Sequence, residues 1–257
     1  MEARRKIAVA GATGRVGRHV VDVLKARGYD VVAISRSTGV DLVTGQGLAD
    51  ALAGVECVID VARRPSPEQQ AATAFFTTAT RNLQEVGKRA GVKWMIVVSI
   101  IGCDRFTAGY MAAKVAHERA MLSGPIPVRI LRAAQFHEFV AQLVEWGKLG
   151  NVSYLPKMRT QLVAAKTVAE ALADMATGSA PAPESSAAPI SEIAGPRAEN
   201  LIDAAKLLVA RRGDALLIEG VRDPVDPDRD LYENGALLPG PGATLAGPTF
   251  EEWLQLQ

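Results

Sequence analysis

Apolar residues in the first half of the chain come in short unbroken runs, each followed by a longer stretch with helical spacing. The runs Lys6–Ala10, Asp30–Ser35, Val55–Ala62, Lys93–Ser99 and Pro127–Leu131 are rich in Val, Ile and Leu and lack in/out alternation. That is the mark of strands covered on both faces. Gly14–Arg27, Leu48–Ala53, Glu68–Ala90 and Tyr110–Leu122 read as the intervening helices. Gly28, Gly54 and Gly91 each stand just past a helix end, where a left-handed residue is wanted. Strand and helix in alternation predict an α/β fold built on a doubly wound parallel sheet with right-handed crossovers.

The pattern loosens afterwards. Helices are expected at Phe136–Leu149, at Thr167–Thr177 with Thr167 as N-cap, and at Glu199–Arg212, closed by Gly213. Short strands are expected at Gln161–Ala164, Ser191–Ala194 and Ala215–Ile218. Gly178–Pro189 is rich in Ala, Pro and Ser and reads as an exposed loop, and Pro224–Pro248 reads as irregular. Thr249–Leu256 reads as a final helix capped by Thr249, with Glu251 and Glu252 in its first turn. No internal repeat is visible. The expectation is a single domain over residues 1–257, with about 150–257 forming a small C-terminal substrate lobe too interrupted to bury a core alone.

Bulk properties narrow the class. The chain has 257 residues, 48% of them hydrophobic, enough for a large core. Its 29 basic and 28 acidic residues leave a net charge of +1, which gives no electrostatic case for nucleic acid or an anionic membrane. No window approaches the roughly 18 apolar residues of a membrane span, and the opening apolar run is too short for a signal peptide. The two cysteines, Cys57 and Cys103, are too few for a disulfide framework and lack metal-ligand spacing. A soluble cytoplasmic protein is expected, with oligomeric state left open.

The chemistry starts where the first strand runs into Gly11-Ala12-Thr13-Gly14-Arg15-Val16-Gly17 ahead of a helix. Gly11 allows the tight turn, Gly14 lets backbone approach a pyrophosphate, and Gly17 lets the helix pack closely. Phosphates then sit on the helix N-terminus. This is the Rossmann dinucleotide arrangement. The second strand ends in Ser35-Arg36-Ser37, where an NAD-binding chain usually carries an acid for the ribose hydroxyls. A guanidinium suits a 2′-phosphate instead, so NADP(H) is the expected cofactor, with Arg15 as a second positive charge. Asp41, followed by Leu42, stands where it can accept the adenine amino group or simply cap a turn. Ala62 ends its strand at the sheet's carboxyl edge, small enough to let the cofactor backbone pass. Arg63 and Arg64 face either phosphate or solvent.

The opening glycine motif, Phe75-Phe76 through Arg81-Asn82-Leu83, Val97-Val98-Ser99 with Gly102, and Tyr110-Met111-Ala112-Ala113-Lys114 together resemble the atypical short-chain dehydrogenases/reductases. The nearest resemblance is to the NmrA-like, NAD(P)H-binding subgroup of actinobacterial type. Leu131 through Phe139 and Gly235-Ala236-Leu237-Leu238-Pro239 extend it over essentially the whole chain. Arg63-Arg64-Pro65 departs from the small polar residues expected there.

Tyr110 and Lys114 are four apart and share a helix face, and Ser99 ends a strand at the same carboxyl edge. The resemblance implies that the three act together. Tyr110 would be the acid–base group, Ser99 would hold the substrate oxygen, and Lys114 would hold the nicotinamide ribose. Lys114 would also lower the phenol from its usual value of about 10. Gln135, Phe136 and His137 follow a strand end and are candidates for substrate contact. His19 reads as surface or packing, His117 as exposed, and no metal site is supported. The expected function is NADPH-dependent reduction of a small organic carbonyl, quinone or enone. The alternatives are an NADP(H)-sensing regulator with little turnover, or an isomerase, epimerase or cyclase on the same fold.

Overall fold

Each apolar run of the first half forms a strand. β1 (Lys6–Ala10), β2 (Asp30–Ile34), β3 (Cys57–Asp60), β4 (Trp94–Ile100) and β5 (Val128–Ala133) alternate with α1 (Arg15–Ala26), α2 (Leu48–Leu52), α3 (Gln69–Ala90) and α4 (Gly109–Leu122). The second half supplies α5 (His137–Trp146), β6 (Lys148–Leu149), β7 (Val152–Pro156), β8 (Arg159–Thr160), α6 (Ala165–Thr177) and β9 (Ile190–Ala194). It ends with β10 (Glu199–Asn200), α7 (Leu201–Arg212), β11 (Leu217–Val221), α8 (Arg229–Glu233), β12 (Thr244–Leu245) and α9 (Phe250–Gln255). The computed structural model describes residues 5–63, 68–179 and 190–257. Among these, no helix is long and apolar enough to cross a membrane.

The seven-stranded sheet runs β12-β9-β5-β4-β3-β1-β2, with parallel ladders at β1–β2, β1–β3, β3–β4 and β9–β12. Chain direction across the sheet reverses between β1 and β3. Ligands of open α/β sheets bind outside the carboxyl ends of the strands at that reversal. The glycine turn leaves β1 there, and Ala62 follows β3 on the other side of it.

The chain forms two compact units. One comprises Met1–Ser99, Gly109–Leu131 and Val168–Ser191; the other comprises Ile100–Ala108, Arg132–Thr167 and Glu192–Gln257. The core of the first unit gathers Ala8, Ile34, Val58, Leu83, Met95 and Ile130, all buried. β1 and β3 are buried along nearly their whole length, whereas the edge strand β2 is half-exposed. α1 turns Val16, Val20 and Leu24 inward at a spacing of four, one stripe of a helix. The second unit holds a separate three-stranded sheet, β11-β7-β6, with β7 and β11 parallel.

The second half corrects several expectations. α5 stops at Trp146, and Lys148–Leu149 turns back as a strand against β7. Gln161–Ala164 makes only a single parallel bridge, Val163 to Phe136, the N-cap residue of α5, among the described residues. α6 begins at Ala165, so Thr167 lies inside the helix and is not its cap. β10 takes Glu199 and Asn200, and the Asn200 side chain then caps α7 by accepting from Ile202 N–H. The last of the expected strands runs over Leu217–Val221, and the Pro224–Pro248 stretch contains α8 and β12. Thr249 caps α9 as expected, in a reciprocal capping box with Glu252. Most of the loop expected at Gly178–Pro189, from residue 180 on, lies outside the described residues, as do Arg64 and Pro65.

Candidate functional site

The glycine turn is built by backbone crowding. Gly11 has φ +80°, and a Cβ there would lie 2.7 Å from the Ala62 Cα. Its amide donates to the Ile34 carbonyl at 2.9 Å, tying the turn to the end of β2. A Cβ on Gly17 would run into the Gly11 carbonyl, so only glycine lets α1 start this close to the turn. Gly14 differs. A Cβ there would meet only the Gly11 oxygen, at 3.1 Å, which leaves its remaining side open to an incoming group. Gly14 is also the N-cap of α1, gives no side-chain cap, and is followed by no acid in the first turn. The leading amides and the positive end of the helix are thus available to an anion. Thr13 is exposed, Arg15 half-buried and Val16 buried in this first turn. The residues present fit a dinucleotide pyrophosphate.

Beyond β2 the chain makes a tight turn, Arg36–Thr38, capped by Ser35 and closed by Gly39 at φ +83°. The Ser35 and Ser37 hydroxyls lie 2.8 Å apart. Arg36 is exposed and makes no ion pair among the described residues. Asp41 caps a turn: its Oδ1 accepts from Val43 N–H at 2.7 Å and Thr44 N–H at 3.0 Å. The Thr44 amide, then Val43 and the charge of Arg36, hold its carboxyl below the usual range against the effect of burial. Leu42 is a core residue, and its carbonyl accepts from the Asn82 side chain at 2.8 Å.

α4 carries the second group of candidates. The Phe76 ring of α3 packs edge-on against Tyr110, centroids 5.8 Å apart, and lies 4.6 Å beneath the Lys114 ammonium. Tyr110 and Lys114 therefore share one helix face. Lys114 is buried and donates to the Val98 carbonyl at 2.7 Å, next in the chain to the buried Ser99.

His117 corrects the expectation of exposure. It is 2% exposed, stacked on Phe76 at 4.5 Å, with Nδ1 2.9 Å from the Lys114 Nζ and Nε2 3.2 Å from the Asp60 Oδ2. An ammonium only donates, so Nδ1 accepts, and Nε2 carries the proton that goes to Asp60. Burial, with Lys114 adding to it, lowers the pKa of His117, and Asp60 opposes this. Asp60 Oδ1 in turn accepts from Ala62 N–H at 2.8 Å.

The expected lowering of Tyr110 is also corrected. Burial pushes the phenol up to about 12; exposed Arg63 pulls it down and Asp60 adds to the rise.

The structure thus gathers the glycine turn, Ala62, Asp60, Ser99, Tyr110, Lys114 and His117 in the first unit. Gln135, Phe136 and His137 belong to the second. The Gln135 side-chain Oε1 accepts from the Thr160 hydroxyl, and Phe136 precedes α5. His137 is fully buried against Phe250 and Trp253. From sequence, Asp60, His117 and Phe76 are assigned no chemical role. The signal for His117 was its place at i+7 from Tyr110 and i+3 from Lys114, on the same face. For Asp60 it was a lone acid ending an apolar strand. Asp228 was also passed over. Its carboxylate accepts from Thr107 N–H at 2.6 Å, Ala108 N–H at 2.8 Å and the Thr107 hydroxyl at 2.9 Å, fixing the two residues before α4.

No curated protein matches the chain in sequence. Among solved structures, MoeE5 in complex with UDP-glucuronic acid and NAD is similar with a TM-score of 0.72 at 20% identity, over 98% of this chain and 97% of that one. The UDP-N-acetylglucosamine 4-epimerase from Bacillus cereus is similar with a TM-score of 0.67 at 17% identity, over 98% and 94%. The NADPH-dependent quinone oxidoreductase QOR2 from Escherichia coli gives 0.64 at 18% identity, over 97% and 98%. These likenesses establish a shared Rossmann-like α/β fold. The NAD(P)H-binding family matches residues 11–179, from the glycine turn through α6. With that match over well more than half its length, the chain belongs to the NAD(P)H-binding family.

Proposed function

We propose that the chain is an NADPH-dependent oxidoreductase that reduces a small organic carbonyl, quinone or enone, with Tyr110 as proton donor. The observation that carries this is the sharing of Phe76 by Tyr110 and Lys114, with Lys114 reaching the backbone beside Ser99. The bound cofactor supplies the hydride. Gly11, Gly14, Gly17 and the first amides of α1 hold the pyrophosphate, and Arg15 and Arg36 hold the 2′-phosphate end. Ser99 donates to the substrate oxygen, and Lys114 holds the nicotinamide ribose.

Raised to about 12, the phenol of Tyr110 holds its proton at neutral pH, the form from which reduction starts. Alcohol oxidation would need the tyrosinate, which burial disfavours.

The test is NADPH consumption at 340 nm across a panel of ketones, quinones and enones, with products identified. Turnover of at least one class is expected. Tight cofactor binding with no turnover on any would replace the reading with that of a regulator. Conversion of substrate with no change in absorbance would replace it with an isomerase.

A further inference from the structure

We infer that Asp60 and His117 form a buried positioning relay that fixes the Lys114 ammonium and ties it to the glycine turn. The relay rests on the reading of Tyr110 and Lys114 as a reacting pair. Its parts come from three elements. Lys114 Nζ on α4 donates to His117 Nδ1, one turn further along the same helix, at 2.9 Å. His117 Nε2–H donates to Asp60 Oδ2 at the end of β3, at 3.2 Å. Asp60 Oδ1 takes the Ala62 amide, and the Ala62 backbone is the surface against which Gly11 is pressed. Phe76 on α3 seals one face of the imidazole at 4.5 Å and lies under the ammonium.

Buried charges are tolerated only when paired and hydrogen-bonded. Here a cation and an anion flank a neutral imidazole, which serves as acceptor to one and donor to the other. The arrangement works only with His117 neutral. Protonation would place an imidazolium 2.9 Å from an ammonium and remove the acceptor that holds it. The charged groups facing His117 are Lys114 and Glu118 from α4 and Asp60 from β3; α3 contributes only the uncharged Phe76. Burial and Lys114 place the protonation of His117 below the ordinary imidazole value, so the relay is intact at neutral pH and breaks on the acid side. His117 is a positioning residue and Tyr110 remains the acid.

Glutamine can mimic both contacts, since its amide oxygen accepts and its NH2 donates, but it does not titrate. Leucine keeps the bulk and makes neither contact. In His117→Leu, kcat/KM for reduction should fall at least tenfold, and His117→Gln should recover most of that loss. The acid-side decline of the native pH–rate profile, set below the ordinary imidazole value, should disappear in His117→Gln. A purely structural histidine would leave that acid limb in place. If His117→Leu does not fold, the comparison of native protein with His117→Gln still decides.

A second measurement needs neither cofactor nor turnover. In 15N-labelled full-length protein at neutral pH, Nδ1 of His117 should resonate as unprotonated and Nε2 as protonated, and Lys114→Met should move the Nδ1 signal. A protonated Nδ1, a titration at the ordinary imidazole value, or an unchanged acid limb in His117→Gln would overturn the relay. Should no substrate be turned over, the reading of Tyr110 fails, and the histidine spectrum alone decides whether the relay stands.

Discussion

Two buried histidines sit in very different company. His117 is 2% exposed and His137 is 0% exposed, and burial lowers the pKa of both. Around His117 both ring nitrogens are engaged, one by a cation and one by an anion, with an aromatic ring stacked on its face. Around His137 are Phe250 at 5.4 Å and Trp253 at 5.3 Å, with the Leu162 backbone as its polar neighbour and, among the described residues, no charged group against it. His117 links charges across three elements. His137 behaves as a packing residue among aromatic rings, and burying its imidazole there disfavours the charged form. Burial of a titratable side chain does not mark function; its partners do.

The largest effect expected is on the charged side of that contrast. Asp60→Ala strips His117 N–H and Ala62 N–H of their acceptor and removes a buried negative charge from the Lys114–His117 cluster. Breaking a buried pair in this way costs about 3–5 kcal/mol, read by urea unfolding at pH 7. A loss under about 1 kcal/mol would mean that Asp60 is not the anchor.

Next comes acid. Burial lowers His137 from its ordinary 6.5 to about 4, the Leu162 backbone opposing, so the unfolded chain takes up the proton first. Its contribution is therefore fully present above pH 6.5 and is lost as pH falls toward 4, by roughly 3 kcal/mol for the 2.5-unit shift. His137→Leu should flatten that part of the pH–stability curve whatever it does to stability at pH 7. An unchanged slope would mean that His137 does not carry it.

The cofactor half offers a smaller, separable effect. If Arg36 makes the proposed charge-assisted contact to a 2′-phosphate, Arg36→Ala should weaken NADP(H) by roughly tenfold and leave NAD(H) nearly unchanged. Titration of both cofactors against both proteins checks it, and equal native affinities would remove the NADP preference. The smallest effect sharpens the contrast from the His137 side. Thr249 caps α9, which carries Phe250 and Trp253, so Thr249→Ala should cost about 1 kcal/mol. By loosening the aromatic box it should also shift the His137 titration toward its ordinary value, as 15N spectra would show.

The sequence made the first unit legible because its signals are local and strict. A Val/Ile run followed by three crowded glycines leaves one arrangement, and β1 and α1 fall within a residue of expectation. α4 was harder to read. It turns Lys114, His117 and Glu118 inward beside Ala113 and Met121, so its buried face is mixed and no clean apolar stripe shows. That is why His117 reads as exposed from sequence and why the relay stayed hidden. The shift at Tyr110 was out of reach for the same reason, since it comes from burial under Phe76 and from Asp60, partners set by tertiary packing. In the second unit β7 ends in Pro156 and β11 contains Gly220, residues that break a strand pattern, and the parallel pairing of these strands joins segments some sixty residues apart in sequence. Asp228 lies in a stretch of Pro, Asp and Gly that carries no periodic signal.

The most direct test of the account is Tyr110→Phe, measured for NADPH affinity and for kcat/KM of reduction on the same preparation. The phenol is assigned to proton delivery and not to holding the cofactor. Affinity should therefore stay within about twofold while kcat/KM falls by roughly 10²–10⁴-fold, the usual worth of a positioned general acid. Unchanged turnover would contradict the account outright, since hydride transfer would then proceed without the proton donor on which it depends.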